Sequence, residues 1–341
     1  MKRAIPLLLL VLWGLAWARG ELRLFNWADY IPEEVVAEFE RRYQARVIID
    51  TFEAPEAMLA KLAAGGDAEY DVVVPPDYYV LEMARAGLIR KLDHTKLKNL
   101  KNLAPEFQNP QYDPGNRHSI PYLWGTTGIA YDREAVKKPV DSWAVFFDPE
   151  AYAGPCFLLD EMRETIGAAL KYLGYSLNDT NPDHLNEAKE LLIGAKKRCL
   201  GFAGGIEARS RLLAGDATVV HAYSGDIVQI QEEAPQVKYL VPKEGGTIWT
   251  DAVAIPKRAP HPELAYAFLD FILEPKIAAK IANYNAYATP VATAMPYLDP
   301  ELKANPAIFP PEEVRKKLEY IRDIGDAIRL YDRIWTEVKA R

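Results

Sequence analysis

Three strand–helix pairs in a row leave this chain little choice of fold. Leu22-Arg23-Leu24-Phe25-Asn26 reads as a strand, and Tyr30-Ile31-Pro32 leads into a helix with Val35, Val36, Phe39 and Tyr43 on one face. Pro32 suits a first helical turn, where its missing N–H costs nothing. Arg46–Phe52 is a β-branched run. Pro55 opens a second helix carrying Met58, Leu59 and Leu62, ended by Gly65-Gly66. Asp71-Val72-Val73-Val74 is a short buried strand stopped by Pro75-Pro76, and Tyr78–Ala86 is a third helix ended by Gly87. Such alternation implies right-handed crossovers and a mostly parallel sheet.

The pattern changes near Ile120-Pro121-Tyr122-Leu123-Trp124-Gly125, and a strand over Thr127–Tyr131 leaves this unit. A second α/β unit follows. Its strands are Cys156–Leu159, Cys199–Phe202, Thr218–Ala222 and Val237–Val241. Its helices lie near 163–173, 182–197, 206–214 and 226–233, with Asn181-Pro182 as a helix start. Gly245-Gly246 turns the chain into Ile248–Ile255, a second crossing, and helices at 262–273 and 275–286 come next. Two crossings predict two α/β lobes joined by two crossover strands at a hinge. Residues 19–126 with 251–294 would form one lobe, and 127–250 with 295–341 the other. The length of 341 residues fits two domains. Ile321, Ile324, Ile328, Tyr331, Trp335 and Val338 recur at helical spacing, as for a helix packed on a lobe. A partner-binding coiled coil is the sharper alternative and usually runs longer.

Two strings rhyme across this layout: Trp27-Ala28-Asp29 and Trp249-Thr250-Asp251. Each sets an indole two residues before a carboxylate, beside a strand-like run. An aromatic face next to a carboxylate suits an organic ammonium. The ring attracts the cation by roughly 0.5–2 kcal/mol, and the carboxylate offsets its desolvation. The plainer account is two core tryptophans flanked by turn acids. Trp27, Pro76 and Tyr223 fall at strand ends, where crevices between lobes take ligands.

The chain begins with Lys2, Arg3 and an apolar run, Ala4–Trp13, then the small-x-small pattern Ala16-Trp17-Ala18. Residues 1–18 read as a secretory signal peptide. The expected location is therefore outside the cytoplasm. The net charge is −7, without a basic block, which disfavours nucleic acid and anionic membranes as partners. An oxidising compartment permits a Cys156–Cys199 disulfide, whose 43-residue loop would stabilise by about 4 kcal/mol. Two free buried thiols are the alternative.

The acids worth weighing are Asp29, Asp77, Glu161, Glu164, Asp226 and Asp251. Glu161 and Glu164 share a face at a helix start, where the dipole also favours them. Asp226 follows a strand in a similar place, and Asp77 reads as a helix N-cap. Tyr78, Tyr79, Tyr223 and Tyr287 could wall a cage, although with 19 tyrosines present most simply pack. His94, His118, His184, His221 and His261 form no metal-ligand pair, and no nucleophile elbow or phosphate loop occurs. Catalysis has no positive support. A carbohydrate binder or glycosidase with stacking tryptophans and paired acids, and a ferric-ion binder with tyrosines and carboxylates, remain rivals.

On these strings the chain resembles bacterial periplasmic polyamine-binding proteins, the spermidine/putrescine-binding components of ABC importers. The specific matches are Asn26-Trp27-Ala28-Asp29-Tyr30-Ile31-Pro32, Val73-Val74-Pro75, Tyr78-Tyr79-Val80, Ser119–Gly125, and Pro242-Lys243-Glu244-Gly245-Gly246 running to Trp249-Thr250-Asp251. The resemblance implies a type II periplasmic binding fold that closes by a hinge. It implies a periplasmic monomer without metal or cofactor that hands its ligand to a membrane permease. It assigns the ligand to Trp27, Asp29, Tyr30, Tyr78, Glu161, Glu164, Tyr223, Asp226, Trp249, Asp251 and Tyr287. Departures are Ala28 and Pro76, where the family usually carries hydroxyl residues, Tyr223 for a tryptophan, and Ile321 for a glutamine. Asp226 is similar to an acid of putrescine-type members.

Overall fold

The computed structural model describes residues 20–341, so the signal-peptide assignment lies outside the described residues. The first lobe is built from β1 (Gly20–Trp27), α1 (Glu33–Tyr43), β2 (Ala45–Phe52), α2 (Pro55–Ala63), β3 (Val72–Val73) and α3 (Asp77–Arg85). The crossing strand β4 (Ser119–Asp132) follows. Next come α4 (Ala144–Phe147), β5 (Cys156–Leu159), α5 (Met162–Tyr172), α6 (Pro182–Lys196), β6 (Gly201–Ala203) and α7 (Gly205–Leu213). Then follow β7 (Val219–Tyr223), α8 (Ser224–Ile230), β8 (Val237–Leu240) and the return strand β9 (Thr247–Ala254). The chain ends with α9 (Pro262–Ile272), α10 (Pro275–Asn285), α11 (Pro300–Ala304), α12 (Glu312–Arg315) and α13 (Ile328–Ala340).

One nine-stranded sheet runs β2-β1-β3-β9-β4-β7-β5-β6, with β8 beside β4. Strand β1 is parallel to β2 and β3, and β5 is parallel to β6 and β7. Between these parallel ends, β4 and β9 run antiparallel, Ser119–Thr127 against Thr247–Ala254. They are the two crossover strands, and both lobes hang on them. Strand β4 starts well before Thr127, the expected start. Pro121 cannot donate to the ladder, and the register shifts between Pro121 and Leu123 to absorb it.

Helices on both faces bury β1 on both sides, as a parallel strand requires. Leu22 and Leu24 pack with Phe39, Phe268 and Phe271, whereas Phe25 packs with Phe52, Met58 and Tyr70. The second lobe repeats this, with Leu158, Ile166 and Phe146 on one face and Val220, Leu212 and Ile227 on the other. Edge strand β2 keeps Arg46 and Asp50 exposed, which discourages edge-to-edge pairing.

Three sequence expectations need correction. The switch of lobe expected at residue 295 comes later, because Leu298, Leu302 and Ile308 lie in the first lobe's core. The C-terminal helix starts only at Ile328, after Gly325 at φ +55°. Ile321 and Ile324 instead belong to a strap along β9, where the Glu319 N–H donates to Gly246 O and the Ile248 N–H to Glu319 O. Cys199 sits in a bend just before β6 rather than in it, since the chain is still leaving α6. It is bonded to Cys156 at 2.02 Å.

Candidate functional site

The Trp-x-Asp spacing on β9 does what a strand makes it do. Successive side chains point to opposite faces, so residues two apart share one. Trp249 and Asp251 therefore face the same side of β9, and both are buried. The Asp251 Oδ2 accepts a hydrogen bond from the Tyr30 hydroxyl at 2.5 Å. Burial pushes the Asp251 carboxyl up to about 7, although the Tyr30 bond works against that rise. The Trp249 ring lies 5.0 Å from Tyr287 and 5.9 Å from Tyr223, both edge-on. Tyr30 lies 6.0 Å from Tyr287. Two glycines let these rings in. A Cβ on Gly125 would stand 2.5 Å from the Trp249 ring, and one on Gly225 2.5 Å from the Tyr287 ring.

The second lobe supplies acids at helix starts. Glu161 is the N-cap of α5, and its Oε2 accepts from the Arg163 and Glu164 N–H groups at 3.1 and 3.2 Å. Its other oxygen faces the Tyr78 hydroxyl across the cleft at 3.5 Å. Burial, then the charge of Glu56, raise the Glu161 carboxyl to about 7. Glu164 is buried, and accepts from the hydroxyls of Thr127 at 3.0 Å and Thr247 at 2.6 Å. Those threonines belong to β4 and β9, so Glu164 bridges both hinge strands. Burial lifts it to about 8. Asp226, in the first turn of α8, accepts from the Tyr287 hydroxyl at 2.8 Å and is raised by burial. Nearby, the Gln229 side chain donates to Asn285 O at 2.8 Å, another bond between lobes.

The structure thus brings Tyr30, Trp249, Asp251, Tyr223, Asp226 and Tyr287 into one cluster. Tyr78, Glu161 and Glu164 join where the lobes meet. Trp27 ends β1 and packs on Phe52 at 4.5 Å. Asp29 is not gathered in: it is exposed, in a turn at φ +53°.

Some participants escaped the sequence reading. Thr127 and Thr247 hold Glu164, and Tyr122 donates to Tyr30 O at 2.8 Å. No local signal pairs residues so far apart. Asp77 is not the helix N-cap: Pro76 is, and Asp77 lies in the first turn of α3 with its Oδ2 accepting from the Thr250 N–H at 3.0 Å. It is 1% exposed, its Oδ1 is unpartnered, and burial raises it well above the usual carboxylate range.

The family model of bacterial extracellular solute-binding proteins matches residues 34–310. The chain is a bacterial extracellular solute-binding protein. This solute-binding protein is 36% identical to a putrescine/cadaverine-binding protein of Pseudomonas aeruginosa, over 96% of this chain and 95% of that one. It is 34% identical to a spermidine/putrescine-binding periplasmic protein of Salmonella typhimurium, over 94% and 91%. It superposes on the spermidine/putrescine ABC transporter substrate-binding protein of Streptococcus pneumoniae with a TM-score of 0.82, at 32% identity, covering 94% of this chain and 99% of that chain. The two-lobe architecture is the type II periplasmic binding fold. The family binds solutes and is not enzymatic. Among the described residues, no helix is long and apolar enough to cross a membrane.

Proposed function

We propose that this solute-binding protein captures a linear polyamine outside the cytoplasm and delivers it, as a periplasmic monomer, to the permease of an ABC importer. The observation that carries this reading is the distribution of carboxyls. Asp251 comes from the hinge strand, and Glu161, Glu164 and Asp226 from the second lobe. Their partners are hydroxyls and backbone N–H groups rather than lysine or arginine side chains. Ammonium groups would supply the missing positive charge. Tyr30, Tyr223, Trp249 and Tyr287 would cover the methylenes between them, each buried methylene adding about 0.8 kcal/mol. Relatives named for putrescine, cadaverine and spermidine support the same class of ligand. Hydroxyls of the first lobe, from Tyr78 and Tyr287, meet acids of the second, Glu161 and Asp226, which makes closure about β4 and β9 the step that completes the site.

The test is calorimetric titration of the refolded, ligand-stripped protein with putrescine, spermidine, spermine and a neutral sugar. The expected result is binding of at least one amine at micromolar strength or tighter, and none of the sugar. Absence of heat with every amine would overturn the proposal.

A further inference from the structure

Between Glu161 and Glu164 stands a residue of the opposite sign. Arg163 occupies the second position of α5, where the helix dipole disfavours a cation. It is nevertheless 5% exposed, among the most buried charges in the second lobe. Among the described residues, no carboxylate pairs with its guanidinium. One terminal nitrogen donates to Arg322 O at 3.1 Å and the other to Asn178 Oδ1 at 2.9 Å, while its Nε is buried without a partner. The Tyr331 ring lies 5.0 Å beneath the guanidinium. A buried cation held only by neutral groups is costly unless charges nearby balance it. Glu161 and Glu164, at the same end of α5, both lie in its field and are lowered by it.

Those hydrogen bonds also fix the strap. Asn178 accepts from the Arg322 N–H at 2.8 Å and donates to Tyr320 O at 2.8 Å. Arg163 thus locks the first turn of α5 onto the strap that runs beside β9.

We propose that Arg163 is a positioning residue of the ligand cleft. Its buried guanidinium anchors the first turn of α5 to the strap and supplies the fixed charge that keeps Glu161 and Glu164 available as carboxylates. The role in ligand capture rests on the polyamine reading above; the electrostatic role does not. Other groups share this field. Glu56 and Tyr78 from the first lobe face Glu161. Tyr223 and Tyr239 face Glu164, and Thr127 and Thr247 bond it. Tyr331 and the strap's Asp323 face Arg163. None of these provides a second positive charge.

The test compares Arg163→Gln and Arg163→Lys with the parent protein, titrated with putrescine and spermidine from pH 6 to 9. Arg163→Gln should move the pH midpoint of binding up by about one unit, giving about tenfold weaker binding at pH 7 that recovers toward the parent at pH 9. Arg163→Lys should keep the parent midpoint. An equal loss at every pH, or identical profiles for the two variants, would overturn the proposal. Should Arg163→Gln not fold, Asn178→Asp serves, since an acid paired with Arg163 cancels its field. It should shift the midpoint the same way, and an unmoved midpoint would count against the idea. A ligand-free readout separates the two inferences. Glutamates raised further in the folded state lose more stability as pH climbs through their folded values. The urea midpoint of Arg163→Gln should therefore fall more between pH 6 and 9 than that of the parent or Arg163→Lys. A constant offset overturns the electrostatic role, even for a protein that binds no amine.

Discussion

Trp27-Ala28-Asp29 and Trp249-Thr250-Asp251 share a spacing and meet opposite fates. Strand β9 continues through Asp251, so Trp249 and Asp251 lie on one face among Tyr30, Tyr223 and Tyr287. Strand β1 ends at Trp27, the chain turns, and Asp29 stands in solvent. A two-residue spacing specifies a shared face only while the strand lasts. Burial then makes the chemical difference. The Asp251 carboxyl is driven up to about 7 by the protein around it, so its charge becomes worth something to a cation.

The sharpest way to break this contrast is Asp251→Asn. It removes a buried charge while keeping an acceptor for Tyr30. Affinity for putrescine or spermidine should drop by more than about tenfold by calorimetry, as expected for a lost charged hydrogen bond. An unchanged dissociation constant would remove Asp251 from the site.

Next in size is the pH response. Asp251 and Glu161 titrate near 7 in the ligand-free fold. An ammonium needs their ionised forms, and aliphatic amines stay protonated well above that pH. Binding therefore strengthens as pH rises through these values and on through about 8, the value of Glu164, and is lost as pH falls through them. Between pH 8 and 6 each such carboxyl weakens affinity by about tenfold, with protons released on binding. Titrations in buffers of different ionisation enthalpy would reveal those protons. A flat profile would show that the carboxyls are already ionised.

Asp29→Asn should change affinity by less than about twofold, as for an exposed charge screened by water. A loss rivalling that of Asp251→Asn would mean that the turn after β1 moves its acid into the cleft.

Removing the disulfide should affect binding least. Cys156 starts β5, whose far end leads to Glu161. Replacing Cys156 and Cys199 by alanine should lower unfolding stability by about 4 kcal/mol through the loss of a 43-residue loop constraint. Affinity should stay unchanged. A parallel fall in affinity would show that the bridge also tensions the cleft end of β5.

Much of the architecture is local in origin. The alternation of β-branched runs with amphipathic helices, and the prolines and glycines that punctuate them, set two α/β lobes and two crossings. The same patterning misplaced what tertiary contacts decide. Ile321 and Ile324 continue a helical period, yet Gly325 interrupts it and the strap pairs with β9 instead. Asp77 looks like a helix cap, yet its carboxyl is taken by the Thr250 N–H of strand β9.

The sequence by itself determined the element types and the residue kinds a cationic ligand needs. Side-chain periodicity and composition act over a few residues, and both are written in order along the chain. The tertiary structure alone decided which acid is buried, which hydroxyl meets it and which cation stands behind it. Those outcomes depend on desolvation and on contacts between residues such as Tyr30 and Asp251, or Thr127, Thr247 and Glu164. Only the closed chain brings them within hydrogen-bonding distance.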